Sequence, residues 1–598
     1  MGRKFYALLI VSSLLSMSVT TSAETLDFPM SASPASLSFK GNTNGNVSLF
    51  MDGFKRTEYI NYPAIPYKVV SVLIPQGEDV AGFRMVVEES LMVDSSLKLA
   101  SYNGSLRDDG QRLGLYERGE EIVGTDSEFP RWRVKHLGTG WMRGYRIASF
   151  AVYPVRYNVE KGGVSLYTKF RLVVETEPAF PLTGRIERLR YVPGFREESR
   201  RDVESLVINP EAAATYTFGD VKVENTDHAF LPSYAPSMEG SEVKYLIVTN
   251  DEMEPAFERL ADWKTRKGVP TVVRTIEWIE QNYRHGADKA ESIRNFLQEA
   301  YAKWGVEWVL LGGDTDVIPA RYGYVTFYSG EFIPTDMYYS CLDGTWNADG
   351  DSLWGEAYHS ADDPGDDADL YPDVFLGRVT VTTPDQANIM INKIIHYTTP
   401  LDTLSKSKFL MLAEVIFPSD YEPGDDIILD GAEIAQNLYN SYLDGNPDVT
   451  TARLYETCDQ YPGSICLTKN AAIDSMNAGT NHVIDIGHGY KYNMSVGNGS
   501  ILNYDANNLT NGNATFAMYL MNCTSAAFDT DCLAEYFLLN AQGGAFAVTG
   551  SSRSAFPSAS RPYMDQYYHL LFDDNIVQLG KLHVLSREPF TSSAYAES

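Results

Sequence analysis

A histidine and a cysteine in the last quarter of the chain are the side chains best suited to covalent chemistry. The apolar run His482-Val483-Ile484-Asp485-Ile486 stops at Gly487-His488-Gly489, and Phe516-Ala517-Met518-Tyr519-Leu520-Met521 stops at Asn522-Cys523. Short apolar runs closed by Gly or Asn read as buried strands of a parallel sheet, whose ligand crevice lies outside the strands' carboxyl ends. A His and a Cys delivered there by neighbouring strands make a nucleophile and its general base. The 35 residues from His488 to Cys523 leave room for one connecting segment. A free thiol, of pKa about 8.5, is mostly protonated at neutral pH, so a base is needed to raise its reactive fraction. The same base then protonates the leaving amine. Glycine on each side of His488 lets backbone approach a substrate, and the N–H groups of Gly489 and Cys523 are the expected oxyanion donors. His482 starts its run instead of ending it, which predicts a structural role. Asn522 is read as supplying backbone geometry, and Asp529 as capping a helix that begins near Thr530.

The elements that must carry this pair alternate from residue 245 onward. Strands are predicted at Tyr245–Thr249, Thr271–Val273, Trp308–Gly313, Phe375–Val379 and Phe409–Ala413, before the two that end in the His and the Cys. Helices are predicted over 254–267, 288–304, 385–398 and 428–443. Ile293, Phe296, Leu297 and Tyr301 share one face of the second. Such alternation means an α/β domain with a parallel sheet flanked by helices. Upstream, Leu26 to Glu177 is strand-like, with runs at Met85–Glu89 and Arg146–Tyr153 and a hairpin turning at Glu160-Lys161-Gly162-Gly163. The Arg-rich stretch Arg185–Arg201 resembles neither strand nor core, and Glu211–Glu242 reads as a linker.

At 598 residues the chain is too long for a single core. Its 44% hydrophobic and 12% aromatic content describes a folded protein. A formal net charge of −30 argues against nonspecific nucleic-acid binding. Residues 1–23 have the form of a signal peptide, with Arg3 and Lys4, an apolar stretch from Phe5 to Val19, and Thr21-Ser22-Ala23 before cleavage. The protein is therefore expected to be exported, and no later segment reads as a membrane span. The division expected is 1–23 signal peptide, 24–240 β-rich module and linker, 241–598 α/β domain.

Of five cysteines, Cys458 and Cys466 bracket a short loop and are expected to pair. Cys532 reads as a small buried hydrophobe, and Cys341 has no base near it in sequence. Only Cys523 stands at a strand end opposite a Gly-flanked His.

A second constellation is acidic. Ten acids and no Lys or Arg fall between Asp343 and Asp373. So dense a segment repels itself unless it is solvated or neutralised by a hard cation, and Ca²⁺ takes such oxygen ligands. The candidate ligands are Asp343, Asn347, Asp349, Asp351 and Glu356. The loop is not an EF-hand: counted from Asn347, position 6 is Ser352 and position 12 is Tyr358. An acidic surface insertion is the other reading.

These residues together resemble the gingipain-type cysteine peptidases, of the clan with the caspase-like fold. The motifs run in order: Tyr245-Leu246-Ile247-Val248-Thr249, Leu260-Ala261-Asp262-Trp263-Lys264, Ala290-Glu291-Ser292-Ile293-Arg294, Val309-Leu310-Leu311-Gly312-Gly313-Asp314, Tyr371–Arg378, Gly487-His488-Gly489 and Asn522-Cys523-Thr524-Ser525. The resemblance implies a caspase-like parallel sheet preceded by a β-rich prodomain, which would cover the cleft of a zymogen and act as its own inhibitor. It also implies structural Ca²⁺ and protein or peptide substrates, with no cofactor for catalysis. By the same resemblance, Glu414 at the end of the Phe409–Ala413 strand would orient the imidazole, its other reading being an exposed strand-end acid. Asp425 and Asp426 fall where arginine-cleaving members carry a pocket acid, and otherwise read as a solvated acidic loop. The Arg-rich stretch ending at Arg200-Arg201, or the linker after it, is where cleavage is expected. Two other functions fit the same pattern: a sortase-like processing peptidase acting on exported proteins, and a noncatalytic calcium-dependent interaction protein.

Overall fold

The computed structural model describes residues 24–597, apart from 42–45, 103–104, 107–111, 114–121, 125, 180–185, 187, 189–191, 219–242, 284–285, 326–330, 357–364, 400–407 and 418–428. The expected signal peptide and most of the expected linker therefore lie outside the described residues.

The N-terminal part is built of strands β1 (Pro66–Leu73), β2 (Glu78–Asp94), β3 (Val134–Met142), β4 (Tyr145–Val152), β5 (Val155–Asn158) and β6 (Gly163–Pro178). In one antiparallel sheet β6 lies between Thr25–Ser31 and β5, and also pairs with β2; in the other the order is β3, β4, β1 and Lys55–Arg56. Alternating side chains of both sheets, Val70, Val72, Phe150, Phe170 and Leu172 among them, close over one core. The expected hairpin is β5–β6, with Val155 opposite Leu166.

The Arg-rich stretch departs from expectation. Pro193–Leu206 forms helix α1, begun by a proline at its first turn. Arg188 and Arg196 are buried: the Arg188 guanidinium lies 3.9 Å from the Phe195 ring centroid, and that of Arg196 3.6 Å from Phe218. Aromatic faces thus replace the water that an exposed arginine would keep. Phe195 itself belongs to the core of the following domain.

That domain contains β7 (Tyr245–Thr249), α2 (Glu254–Arg266), β8 (Thr271–Thr275), α3 (Lys289–Glu299), β9 (Trp308–Gly312), the hairpin β10 (Arg321–Val325) and β11 (Glu331–Thr335), β12 (Phe375–Val379) and α4 (Pro384–Tyr397). It continues with β13 (Lys408–Ala413), α5 (Gly431–Leu438), β14 (Thr450–Tyr455), β15 (His482–Ile486), β16 (Phe516–Met521), α6 (Leu533–Leu539), β17 (Ala545–Thr549), α7 (Pro557–Phe572) and α8 (Leu579–Glu597). Caps set several starts: Asp288 accepts from Glu291 N–H before α3, and Thr383 from Gln386 N–H before α4.

The strands do not form one sheet. They form two parallel sheets, of order β8-β7-β9-β12 and Ile465–Cys466, β14-β13-β15-β16-β17. In the chain, α4 follows β12, the last strand of the first sheet, and precedes β13 of the second. Buried Lys393 of α4 ties the two together by donating to the carbonyls of Phe537, Leu538 and Ala545.

The N-terminal module docks on this domain through core-like contacts. The β3–β4 turn is Arg143-Gly144, both at positive φ (50° and 89°), the pattern of a tight two-residue hairpin loop. Its tip places buried Arg143 against Asp202 at 2.6 Å and Glu588 of α8 at 2.9 Å. Backbone N–H groups of the module reach carboxylates of the domain: Ile186 to Asp343, Trp141 to Asp369 and Arg143 to Asp373. Ser71 and Ser592 join at 2.5 Å beside Tyr371.

Candidate active site

Register brings the two reactive side chains together. β15 and β16 are parallel neighbours with Ile486 opposite Met521, so His488 and Cys523 each stand two residues beyond an aligned pair. β13 flanks β15 on the other side, Ala413 opposite Ile486, and Glu414 follows at the same level. His488 and Cys523 line one pocket with Ile416, Phe417, Met521, Asn522, Ala555 and Pro557.

The imidazole is oriented by a carbonyl. His488 Nε2 lies 2.8 Å from the oxygen of Ile416, which can only accept, so Nε2 carries the proton and Nδ1 is the nitrogen left to act as base. The Phe417 ring stands edge-on at 6.3 Å. Glu414 is buried, not exposed. Its Oε2 accepts from His488 N–H at 2.9 Å and its Oε1 from Gly497 N–H at 3.0 Å. Burial holds its carboxyl above the ordinary range in spite of those donors.

The glycines around His488 make room for neighbouring side chains. A Cβ on Gly487 would sit 2.6 Å from Glu414 Oε2, and one on Gly489 would sit 2.5 Å from Ser525 Oγ and 2.7 Å from Asn522 Cγ. Asn522 is therefore more than backbone geometry. Its side chain packs on Gly489 and donates to Asp485 Oδ2 at 2.8 Å. Asp485 is buried in β15, and burial followed by the nearby Glu414 raises its carboxyl well above the ordinary range.

Cys523 Sγ faces Ala555, 3.3 Å from its nitrogen and 3.4 Å from its oxygen. Thr524 after it is held at φ 57°, a conformation that a non-glycine residue keeps only where its surroundings over-determine it. The other free cysteines, Cys341 and Cys532, are buried, and burial pushes the Cys532 thiol up to about 12. Cys458 and Cys466 form the expected disulfide. His482 is buried against Tyr568 at 2.7 Å, and burial lowers it to about 4.

Asp529 does not cap a helix. It forms a two-point ion pair with Arg553, at 2.9 and 2.8 Å, and the next helix starts later, at Leu533 with Cys532 as its N-cap. Asp425 and Asp426 lie outside the described residues. The calcium candidates do not assemble. Asp349 accepts from Asp351 N–H, Asp351 from Leu353 N–H, Asn347 donates to Asp351 O, and Asp343 turns to Ile186 of the N-terminal module. Glu356 is buried, its backbone N–H bonded to Asp366. Among the described residues no group of three or more His, Cys, Asp or Glu could hold a metal ion. Asp343, Asp349 and Asp351 each accept one backbone amide through one carboxylate oxygen.

Three contributors escaped the sequence reading: the Ile416 carbonyl, the Ala555 amide and the Asp485 carboxyl. The first two are backbone groups, which no residue type marks. The third carried a signal, an acid inside an otherwise apolar strand.

A histidine and a cysteine thus stand at adjacent strand tips of a parallel sheet and line one pocket. The chain belongs to peptidase family C25, whose model matches residues 239–597. Lys-gingipain HG66 of Porphyromonas gingivalis is 23% identical over 534 residues, 86% of this chain but 26% of that protein. Gingipain R2 of P. gingivalis is 23% identical over 398 residues, 65% of this chain and 44% of the relative. The chain thus spans about a quarter of the length of the Lys-gingipain it matches. The crystal structure of the Arg-specific cysteine proteinase gingipain R aligns with 20% identity and a TM-score of 0.44, over 60% of this chain and 75% of that one. Among the described residues no helix is long and apolar enough to cross a membrane.

Proposed function

We propose that the chain is an exported cysteine endopeptidase made as a zymogen, with Cys523 as nucleophile and His488 as base. The supporting observation is that both side chains line one pocket at aligned strand tips. His488 Nδ1 takes the Sγ proton, the thiolate attacks the scissile carbonyl, and the imidazolium returns the proton to the leaving amine. Water then cleaves the thioester. Such chemistry needs no cofactor. Backbone N–H groups of Gly489 and Cys523 receive the developing oxyanion. Glu414 positions the base through the His488 peptide, not through the ring.

Residues 24–240 form the latency module, removed by proteolysis and able to inhibit while docked. Cleavage falls in the linker after residue 218. Arg200 and Arg201 lie within α1, where both pair with Glu197, and this favours the linker over them. A basic side chain before the scissile bond is the expected preference, with Asp425 and Asp426 as the candidate countercharges. Names of relatives point the same way, Lys-gingipain and an Arg-specific proteinase. A peptide library with each residue in turn before the cleaved bond tests this. Cleavage after Lys or Arg, lost in Cys523→Ala, is the expected result. No cleavage by trimmed wild type would overturn the reading.

A further inference from the structure

The sulfur of Cys523 is met by a loop that the His–Cys pair does not explain. This loop, Gly550 to Phe556, follows β17 and runs beside the residues after the nucleophile. Thr524 N–H donates to Arg553 O at 3.0 Å, and Ala526 N–H to Ser551 O at 3.1 Å. The next step along this short ladder sets Ala555 against Sγ. The protonated sulfur can donate to Ala555 O at 3.4 Å, whereas the ionised sulfur can only accept, from Ala555 N–H at 3.3 Å. When the proton passes to His488 the sulfur therefore exchanges a carbonyl partner for an amide partner on the same residue.

The loop is held from the far side by an ion pair. Arg553 Nη1 and Nη2 grip Asp529 Oδ1 and Oδ2, a planar two-point contact that fixes direction as well as distance. The pair is only partly exposed and leans on the β10–β11 hairpin. Tyr322 hydroxyl lies 3.4 Å from Asp529 Oδ2, Glu331 lies 3.9 Å from Arg553 Nε, and Ser552 Oγ donates to Pro334 O. Burial would raise the Asp529 carboxyl, but Arg553 outweighs it and holds the group below its ordinary range. Arg553 in turn is held above its ordinary range, first by its hydrogen bonds to Asp529.

We propose that the Ala555 amide is the donor that stabilises the Cys523 thiolate, and that Asp529 and Arg553 are the positioning pair that keeps it on the sulfur. The proposal rests on Cys523 being the nucleophile. Hydrogen bonds to charged groups carry the largest effects, and one pKa unit is tenfold in the thiolate fraction.

Iodoacetamide modification of the full chain, followed across pH and assigned to Cys523 by peptide mass, tests both levels. Ala555→Pro removes the N–H and should raise the midpoint of the alkylation profile by about one pH unit, slowing the reaction roughly tenfold near neutrality. Arg553→Met should shift the profile the same way, and Arg553→Lys should recover part of the shift. If Ala555→Pro fails to fold, the two Arg553 variants decide. A wild-type profile in folded Arg553→Met, with folding checked by circular dichroism, overturns the proposal while leaving the nucleophile assignment standing. A wild-type Cys523 that reacts no faster than a free cysteine overturns both.

Discussion

The two parallel sheets of the α/β domain share a strand–helix pattern and differ at their carboxyl edges. In the first sheet the edge is closed. Thr249 Oγ1 donates to Gly312 O at 2.6 Å, Thr275 caps the following helix, and a Cβ on Gly312 would meet the Phe257 ring at 2.5 Å. Arg378 of β12 seals the rest, pairing with Asp336 at 2.8 and 2.7 Å and donating to Gly313 O and Ile318 O. In the second sheet the same edge opens into a pocket. There the carboxylates turn inward, Glu414 to backbone amides and Asp485 to Asn522, and leave the imidazole and thiol at the opening. Strand order alone therefore does not create a site. The residues just past each strand decide whether the crevice is filled or kept.

The largest break comes from the nucleophile. Cys523→Ala should lower kcat/KM by on the order of 10⁴ or more, as loss of a nucleophile does when base and nucleophile act as one unit. Thermal stability should be nearly unchanged, since the thiol's partner Ala555 is backbone. The corresponding change in the closed edge acts on folding. Arg378→Met leaves partly buried Asp336 uncompensated and two carbonyls unpaired; breaking a fully buried pair costs roughly 3–5 kcal/mol, which bounds the loss from above. Denaturant titration should show that loss, with activity per folded molecule falling far less than in Cys523→Ala. The Arg378 guanidinium also lies 5.3 Å from the Phe528 ring centroid, so some activity change is expected. Unchanged stability with abolished activity would erase the distinction between the edges.

An intermediate effect belongs to Gly487. In Gly487→Ala the new methyl displaces Glu414 and with it the His488 peptide. A misplacement of about 1 Å in a catalytic group costs on the order of hundredfold in rate. The loss should appear in kcat, and Gly487→Ala combined with Glu414→Gln should lose less than the two separate losses multiplied, because both act on one contact.

Much of this was legible in the chain. The strands ending in His488 and Cys523 were visible because buried parallel strands are nearly all apolar, so a polar residue at the end stands out. The helices were visible through their periodicity and caps. What stayed hidden was of two kinds. Backbone partners such as Ile416 O and Ala555 N–H have no residue-type signature. Long-range burial also reverses local appearance: an Arg-rich stretch reads as solvated until Phe195, Phe218 and the carboxylates of another domain surround it. The acidic segment carries a further contact that its sequence does not mark. Asp343, Asp369 and Asp373 accept backbone N–H groups from the N-terminal module.

That use of acids sharpens the comparison at its weakest edge, the docking face, where the expected effect is smallest per step. Burial raises Asp373 to about 7 and Glu588 to about 7, and it raises Asp343 and Asp369 as well. Charges facing them include Arg143 and Asp202 from the module and Arg294, Arg587 and Lys581 from the domain. Once the module leaves, these carboxyls meet water and return toward the ordinary range of about 4. Docked pKa values thus exceed free ones, so docking takes up protons. The contribution is complete below about pH 4 and is lost as pH rises through about 7, at roughly tenfold in affinity per pH unit for each proton taken up. After a single cut within residues 219–242, size-exclusion chromatography should find the module bound at pH 5 and separating at pH 8. Asp373→Asn, neutral at every pH, should flatten that dependence. Equal retention at both pH values would mean that the buried acids of this face keep their charge when docked, and that the module is held by its arginines and apolar contacts alone.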